Sequence, residues 1–259
     1  MSIRTPIIEV KDLVKKYEEL IAVQGISFEV YEGEIFGLLG PNGAGKTSTL
    51  EIIETLRKQT SGEVFVKGLS TRTHAGEIKK LIGVQLQAAG YYPNLTLSEL
   101  LRLFAGLYNV NINVDTMLKR VGLEERPKAK YKDLSGGQKQ RFSICTTLIN
   151  RPKIVFLDEP TTGLDPQARR NLWELIREIR NEGTTVVLTT HYMDEAEYLC
   201  DRVAIVERGK IISLDTPERL IDKLVETGFS KPKKLKRANL EDVFLSLTGK
   251  KWRDEKKIL

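Results

Sequence analysis

Apolar and polar residues alternate with a period of two in Ile26-Ser27-Phe28-Glu29-Val30 and again in Glu63-Val64-Phe65-Val66-Lys67. That is the pattern of half-buried antiparallel strands, so the opening third of the chain predicts a small antiparallel sheet. Between those segments Glu34-Ile35-Phe36-Gly37-Leu38-Leu39 is almost continuously apolar, as are Ile154-Val155-Phe156-Leu157 and Thr185-Val186-Val187-Leu188 further on. Such runs predict strands covered on both faces, and helical stretches between them predict a mostly parallel sheet between helices. From about residue 88 to residue 150 strand patterning gives way to helical spacing, as in Leu97, Leu100, Leu101 and Phe104. This stretch reads as an inserted helical subdomain. Near the end, Leu240, Val243, Phe244 and Leu247 lie at helical spacing, with Asn239 as cap, Glu241 and Asp242 in the first turn and Gly249 as stop. The expected organisation is α/β: one main domain over residues 1–222, followed by a basic tail over 223–259 that carries a short amphipathic helix.

Composition narrows the classes. The chain has 259 residues, 41% hydrophobic and 29% charged, which suits one or two packed cores and excludes disordered, fibrous and disulfide-scaffold readings. Apolar runs fall well short of the roughly 20 residues of a membrane-crossing helix. The N-terminus reaches Glu9 before any stretch apolar enough for a signal peptide, so the cytosol is the expected compartment. Cys145 and Cys200 are far apart and read as small packing residues in a reducing setting. The net charge of +6 sits at one end: from Lys223 onward there are 11 Lys or Arg against 5 Asp or Glu. Such a tail suggests an acidic partner, nucleic acid or an anionic membrane face, against the plainer reading of solvated surface.

Gly40-Pro41-Asn42-Gly43-Ala44-Gly45-Lys46-Thr47 follows a predicted buried strand and precedes a predicted helix from Ser48 to Leu56. In that context it has the spacing of a phosphate-binding P-loop. Glycines let successive N–H groups turn inward, and the helix start adds its positive end, making an anion nest that Ser48 completes. Lys46 reaches the terminal phosphates and the Thr47 hydroxyl ligates Mg2+. Asp158-Glu159 at the exit of another buried strand supplies the remaining chemistry, Asp158 for the metal and Glu159 for the attacking water. Strand alternation would point these two carboxylates to opposite faces. No Asn-Lys-x-Asp tetrapeptide for reading guanine occurs.

Leu134-Ser135-Gly136-Gly137-Gln138, ahead of the helical run Lys139 to Ile149, resembles the signature of the nucleotide-binding subunit of ATP-binding cassette (ABC) transporters. The resemblance spans about residues 7 to 220 and implies a P-loop NTPase core, ATP and Mg2+ as ligands, and ATP hydrolysis coupled to transmembrane transport. By the same resemblance Tyr17 stacks on adenine, His191 touches the γ-phosphate, and Gly163-Leu164-Asp165 crosses to a second subunit. Gln87 resembles the glutamine that contacts Mg2+ and the attacking water, with Gln85 as its rival. Ser135, Gly136, Gly137 and Gln138 form a second anion half-site, which in the family closes on the ATP held by another copy. The implied assembly is a head-to-tail dimer, of identical or paralogous chains, on a separate membrane permease at the inner face of the cell membrane. The stretch Tyr92 to Thr96 and the closing Leu240 to Gly249 resemble the type-2 export group, and Tyr91, Tyr92 and Phe104 are expected to line a groove for a permease helix. Relatives that act on the ribosome or on DNA carry two cassettes or a long coiled-coil insertion. This chain has neither, so nucleic acid is not the expected partner.

Overall fold

The computed structural model describes residues 5–85 and 90–229, together with Leu240, Val243, Ser246 and Leu247. Two sheets organise it. An antiparallel sheet of order β2-β1-β4-β5 is built from β1 (Pro6–Tyr17), β2 (Leu20–Tyr31), β4 (Ser61–Val66) and β5 (Leu69–Ser70). A second sheet of order β10-β9-β3-β8-β7-β6 takes β3 (Ile35–Leu39), β6 (Ile82–Gln85), β7 (Ile154–Asp158), β8 (Thr185–Thr190), β9 (Arg202–Glu207) and β10 (Lys210–Asp215). Its pairings are parallel except for β9 with β10 at one edge.

The doubly buried strands feed two cores because successive side chains leave opposite faces. Ile35 and Leu39 of β3, Val155 and Leu157 of β7, and Val186 and Leu188 of β8 pack with the helices. Phe36 and Leu38, Ile154 and Phe156, and Val187 face the other way, into a core shared with the antiparallel sheet and α1 (Lys46–Ile53). Here Phe36 stacks on Phe28 of β2, ring centroids 5.3 Å apart. α2 (Ala75–Leu81) leads into β6.

Between 90 and 150 the elements are α3 (Leu97–Tyr108), α4 (Val114–Arg120), a 3-10 turn (Tyr131–Asp133) and α5 (Gly136–Thr147), as the helical spacing predicts. α3 opens on a capping box: Thr96 Oγ1 accepts from the Glu99 N–H, and the Glu99 carboxylate accepts from the Thr96 N–H. Tyr91 and Phe104 do not line an open groove. Tyr91 is packed edge-on against Phe104 and Phe142 and tilted on Tyr131, and its hydroxyl bonds Ser143 and Thr146. Among the described residues of this subdomain the large apolar side chains left exposed are Tyr92, Leu103, Leu107 and Tyr108.

α6 (Pro166–Asn181) buries Leu172, Leu175, Ile176 and Ile179 along one stripe. α7 (Met193–Leu199) follows β8, and α8 (Pro217–Glu226) runs across position 222. Leu240 and Val243 are helical and buried with Leu220, Ile221 and Leu224 of α8, while Leu247 is exposed. Phe244, the basic segment 230–239 and Gln87 lie outside the described residues.

Candidate functional site

The site forms where parallel strands end. In the order β3-β8-β7, Leu39 pairs with Thr190 and Thr189 with Asp158, so three carbonyl ends lie side by side. β3 runs into Gly40, β7 stops at Asp158 and β8 delivers His191. Segments more than a hundred residues apart thereby meet at one crevice, the usual place for a ligand on an open α/β sheet.

The loop Gly40–Gly45 is fixed by its surroundings. The Gly40 N–H donates to the Thr190 carbonyl at 3.2 Å, and a Cβ on Gly40 would stand 2.2 Å from the Val206 carbonyl oxygen. Gly45 caps α1 at φ 99°, a left-handed conformation, and its own Cβ would strike the Ala22 carbonyl oxygen at 2.3 Å. The Ala44 N–H closes the turn on the Pro41 carbonyl at 3.1 Å, and Asn42 and Gly43 are left exposed between them.

Lys46 is only 4% exposed, and its ammonium donates to the carbonyls of Gly40 at 2.8 Å and Pro41 at 3.1 Å. It also stands 3.4 Å from Glu159 Oε1. Burial pulls the Lys46 pKa down, opposed by the two carboxylates at Glu159 and Asp158. Thr47 Oγ1 donates to Asp158, 3.2 Å from Oδ2, and the Thr189 hydroxyl donates to Asp158 Oδ1. Burial pushes the Asp158 carboxyl up, against those two hydroxyls.

Asp158 and Glu159 do not diverge as strand neighbours would. The strand stops at Asp158, and Glu159 takes φ 48°, a left-handed turn that brings both carboxylates to the crevice. The Glu159 N–H donates to Thr189 Oγ1 at 3.0 Å, which holds the turn. Glu159 Oε2 lies 3.2 Å from His191 Nδ1. That imidazole, with the Lys46 ammonium and against burial, holds the Glu159 carboxyl down at about 2. His191 stands just ahead of α7, whose N-cap position is Tyr192.

Tyr17 ends β1 at the rim. Its hydroxyl is 3.1 Å from Ser48 Oγ, and Lys15 and Arg57 lie over its ring at 4.8 and 5.3 Å. Gln85 is the last residue of β6, buried beside Leu157, and its Oε1 has no hydrogen-bond partner among the described residues.

A second cleft, of about 450 Å³, joins Ser135, Gly136, Gly137 and Gln138 to Gly163, Leu164 and Asp165. Ser135 Oγ accepts from the Gln138 N–H at 3.3 Å while Gln138 Oε1 accepts from the Ser135 N–H at 3.0 Å, a capping box at the start of α5. Asp165 caps α6 by accepting from the Ala168 N–H at 2.9 Å. Among the described residues no hydrogen bond or ion pair joins this cleft to Lys46 or Thr47.

The ABC transporter family model matches residues 23–162, more than half of the sequence. The chain belongs to the ABC transporter family. The ABC cassette is 41% identical over 219 residues to the probable multidrug ABC transporter ATP-binding protein YbhF of Escherichia coli (strain K12), covering 83% of this chain and 38% of that one. It is 39% identical over 220 residues to the Nod factor export ATP-binding protein I of Burkholderia pseudomallei (strain 1710b), covering 83% and 72%. It thus spans well under half the length of the first relative and most of the second. Among solved structures, an ATP-binding subunit of an ABC transporter superposes with TM-score 0.79 at 28% identity, over 93% of this chain and 99% of that one. A dimeric ATP-binding cassette in a post-hydrolysis state with ADP and Pi superposes with TM-score 0.73 at 29% identity, over 81% and 98%.

The cassette's acidic groups fit one small hard cation. Asp158 and the Thr47 hydroxyl already meet within hydrogen-bond distance, and no three His, Cys, Asp or Glu side chains among the described residues are placed to hold a metal ion together. One carboxylate and one hydroxyl, with phosphate oxygens and waters for the rest, is the donor set Mg2+ takes. Thr189, which bonds both Asp158 and the Glu159 N–H, is a supporting residue the sequence reading missed. Its signal is a hydroxyl pair, Thr189-Thr190, at the end of a strand otherwise apolar after its first residue.

Proposed function

We propose that this chain is the ATP-hydrolysing subunit of an export-type ABC transporter, acting as a head-to-tail dimer on a separate membrane permease. The observation that carries the reading is the meeting of Lys46, Thr47, Asp158, Glu159 and His191 at three adjacent strand ends. The printed names of the relatives, multidrug, Nod factor export and linearmycin resistance ATP-binding proteins, support export. No helix among the described residues is long and apolar enough to cross a membrane, so the spanning part belongs to another chain or segment.

The backbone N–H groups of Asn42, Gly43, Gly45, Lys46 and Thr47, with Ser48 beside them, hold the phosphates, and Tyr17 offers its ring to adenine. Thr47 and Asp158 hold Mg2+, with Gln87 or Gln85 as the further oxygen donor; when bound, the cation neutralises charge on the phosphate oxygens. To reach a phosphoryl oxygen, the Lys46 ammonium exchanges the Gly40 and Pro41 carbonyls and Glu159 for it. Glu159 then loses a neighbouring cation, its carboxylate becomes more basic, and it can take the proton of the attacking water. His191, beside that carboxylate, orients it and reads the terminal phosphate. The Ser135 to Gln138 turn and Asp165 complete the site of a second copy, because among the described residues no hydrogen bond or ion pair brings them to Lys46. The exposed Tyr92, Leu103, Leu107 and Tyr108 are the docking face this reading assigns to a permease helix, with the cassette at the inner face of the membrane.

The deciding test is Glu159→Gln. The variant is expected to bind ATP, to lose at least about 100-fold in hydrolysis, and to accumulate as an ATP-dependent dimer in light scattering. Hydrolysis at the wild-type rate would remove Glu159 from its role.

A further inference from the structure

One buried acid outside this constellation joins its parts. Glu195 sits on α7, four residues after His191, with a fully buried side chain. Its Oε1 accepts from the Thr161 hydroxyl at 2.8 Å and from the Trp173 indole N–H at 3.0 Å. Thr161 is 1% exposed and Trp173 9%, so the whole junction is buried. Its Oε2 is buried with no hydrogen-bond partner among the described residues. Burial is the largest influence on this carboxyl and pushes its pKa up, against the hydroxyls of Thr190 and Thr161 and the indole.

A carboxyl group in such a place costs stability relative to an apolar side chain of the same size. Packing alone would therefore favour leucine or methionine. The partners show what the acid connects. Thr161 lies two residues beyond Glu159, and its carbonyl accepts from the Leu164 N–H at 3.2 Å, inside the turn that ends at Asp165. Leu164 Cδ2 stands 3.9 Å from where a Cβ on Gly136 would be, at the floor of the second cleft. On the other side, α7 begins directly behind His191, and the Tyr192 N–H donates to Thr190 Oγ1 at 2.9 Å. Trp173 ties the same carboxyl to the middle of α6.

We propose that Glu195 is a positioning residue for ATP hydrolysis, locking the Glu159–Asp165 turn to the His191 turn through the Thr161 hydroxyl. The base and the histidine come from different strands, and their 3.2 Å approach holds only if both turns keep one register. The same link carries a displacement of Leu164, at the second cleft, to the pair at the first. The inference rests on the hydrolytic roles of Glu159 and His191 given above.

The test uses the full chain and four variants, with kcat and KM for MgATP measured beside thermal midpoints. Thr161→Val keeps the shape and removes the hydroxyl; Glu195→Gln keeps an acceptor; Glu195→Leu removes both acceptors; Trp173→Phe cuts only the tie to α6. Thr161→Val and Glu195→Leu are expected to lose about 10- to 100-fold in kcat with KM within about threefold, the effect of a misplaced catalytic group. Glu195→Gln is expected to retain kcat within about threefold, and Trp173→Phe to lower the midpoint while leaving kcat within the same range. Wild-type kcat in Thr161→Val, or an equal loss in Trp173→Phe, overturns the proposal by reducing Glu195 to a packing role. Should Glu195→Leu not fold, Thr161→Val decides alone. If the unmodified chain hydrolyses ATP and Glu159→Gln does not, a failure here leaves the reading of the site intact; if Glu159→Gln is fully active, that reading itself falls.

Discussion

Glu54 shows how a single side chain near the site carries a cost. It caps the C-terminal end of α1, is 3% exposed, and burial raises its pKa to about 8, with Asp158 and Glu51 adding negative charge nearby. The folded chain therefore keeps a proton that the unfolded chain, at the ordinary 4.5, gives up. Stability from this group is fully present below about 4.5 and is lost as pH rises through about 8, on the order of a few kcal/mol. Glu54→Gln, which cannot ionise, is expected to melt above the wild type near pH 9 and to approach it near pH 5. Parallel melting curves at both values would show that Glu54 does not titrate in this range. Glu159 has the opposite sign: held at about 2, it stays a carboxylate throughout the neutral range. A carboxylate beside the Lys46 ammonium is a poor base, which is why its release by Lys46 matters to the chemistry.

Among the elements, α3 is the clearest case of local residues fixing a boundary. Thr96 and Glu99 close a reciprocal cap, and Asn109 ends the helix at φ 53°. Thr96→Ala is expected to lower unfolding stability by about 1 kcal/mol without changing kcat per folded molecule, measured by denaturant titration beside ATPase rates. A change in kcat would mean that the start of α3 takes part in the catalytic cycle. β7 was equally legible, yet the turn that follows it was not. Asp158-Glu159-Pro160 stops the strand as the residues suggest, but which way Glu159 turns depends on the Thr189 carbonyl and hydroxyl that receive its N–H from the neighbouring strand. Tyr91 was misjudged for a related reason. Its aromatic neighbours Phe104, Tyr131 and Phe142 come from three separate segments, and no local pattern pairs them.

For the whole molecule, the decisive property is that among the described residues no hydrogen bond or ion pair joins the Ser135 turn to Lys46 or Thr47, as the proposed shared site requires. Hydrolysis per chain is expected to rise with chain concentration until dimers saturate. Mixing equal amounts of Lys46→Ala and Ser135→Phe, each inactive alone, is expected to restore up to about a quarter of wild-type activity, since half the dimers are mixed and each holds one intact site. Absence of any recovery, with mixed dimers shown to form, would exclude the shared site. Leu240 and Val243 bury into the core with α8, so the tail is anchored to the cassette at those residues and is not a wholly separate appendage.

The sequence alone determined the motifs that are written in contiguous residues. Gly40 to Thr47, Ser135 to Gln138, Asp158 and Glu159 carry the roles proposed for them through backbone freedom, helix starts and side-chain type within a few positions, and period-two or helical spacing marks the elements that hold them. Only the tertiary structure decided how these pieces meet. The order β3-β8-β7 brings Lys46 to Glu159, Thr189 to Asp158 and, through Thr161, Glu195 to the catalytic turn. Those contacts join residues tens to more than a hundred positions apart, and their geometry is set by strand register and burial, which no local sequence pattern encodes.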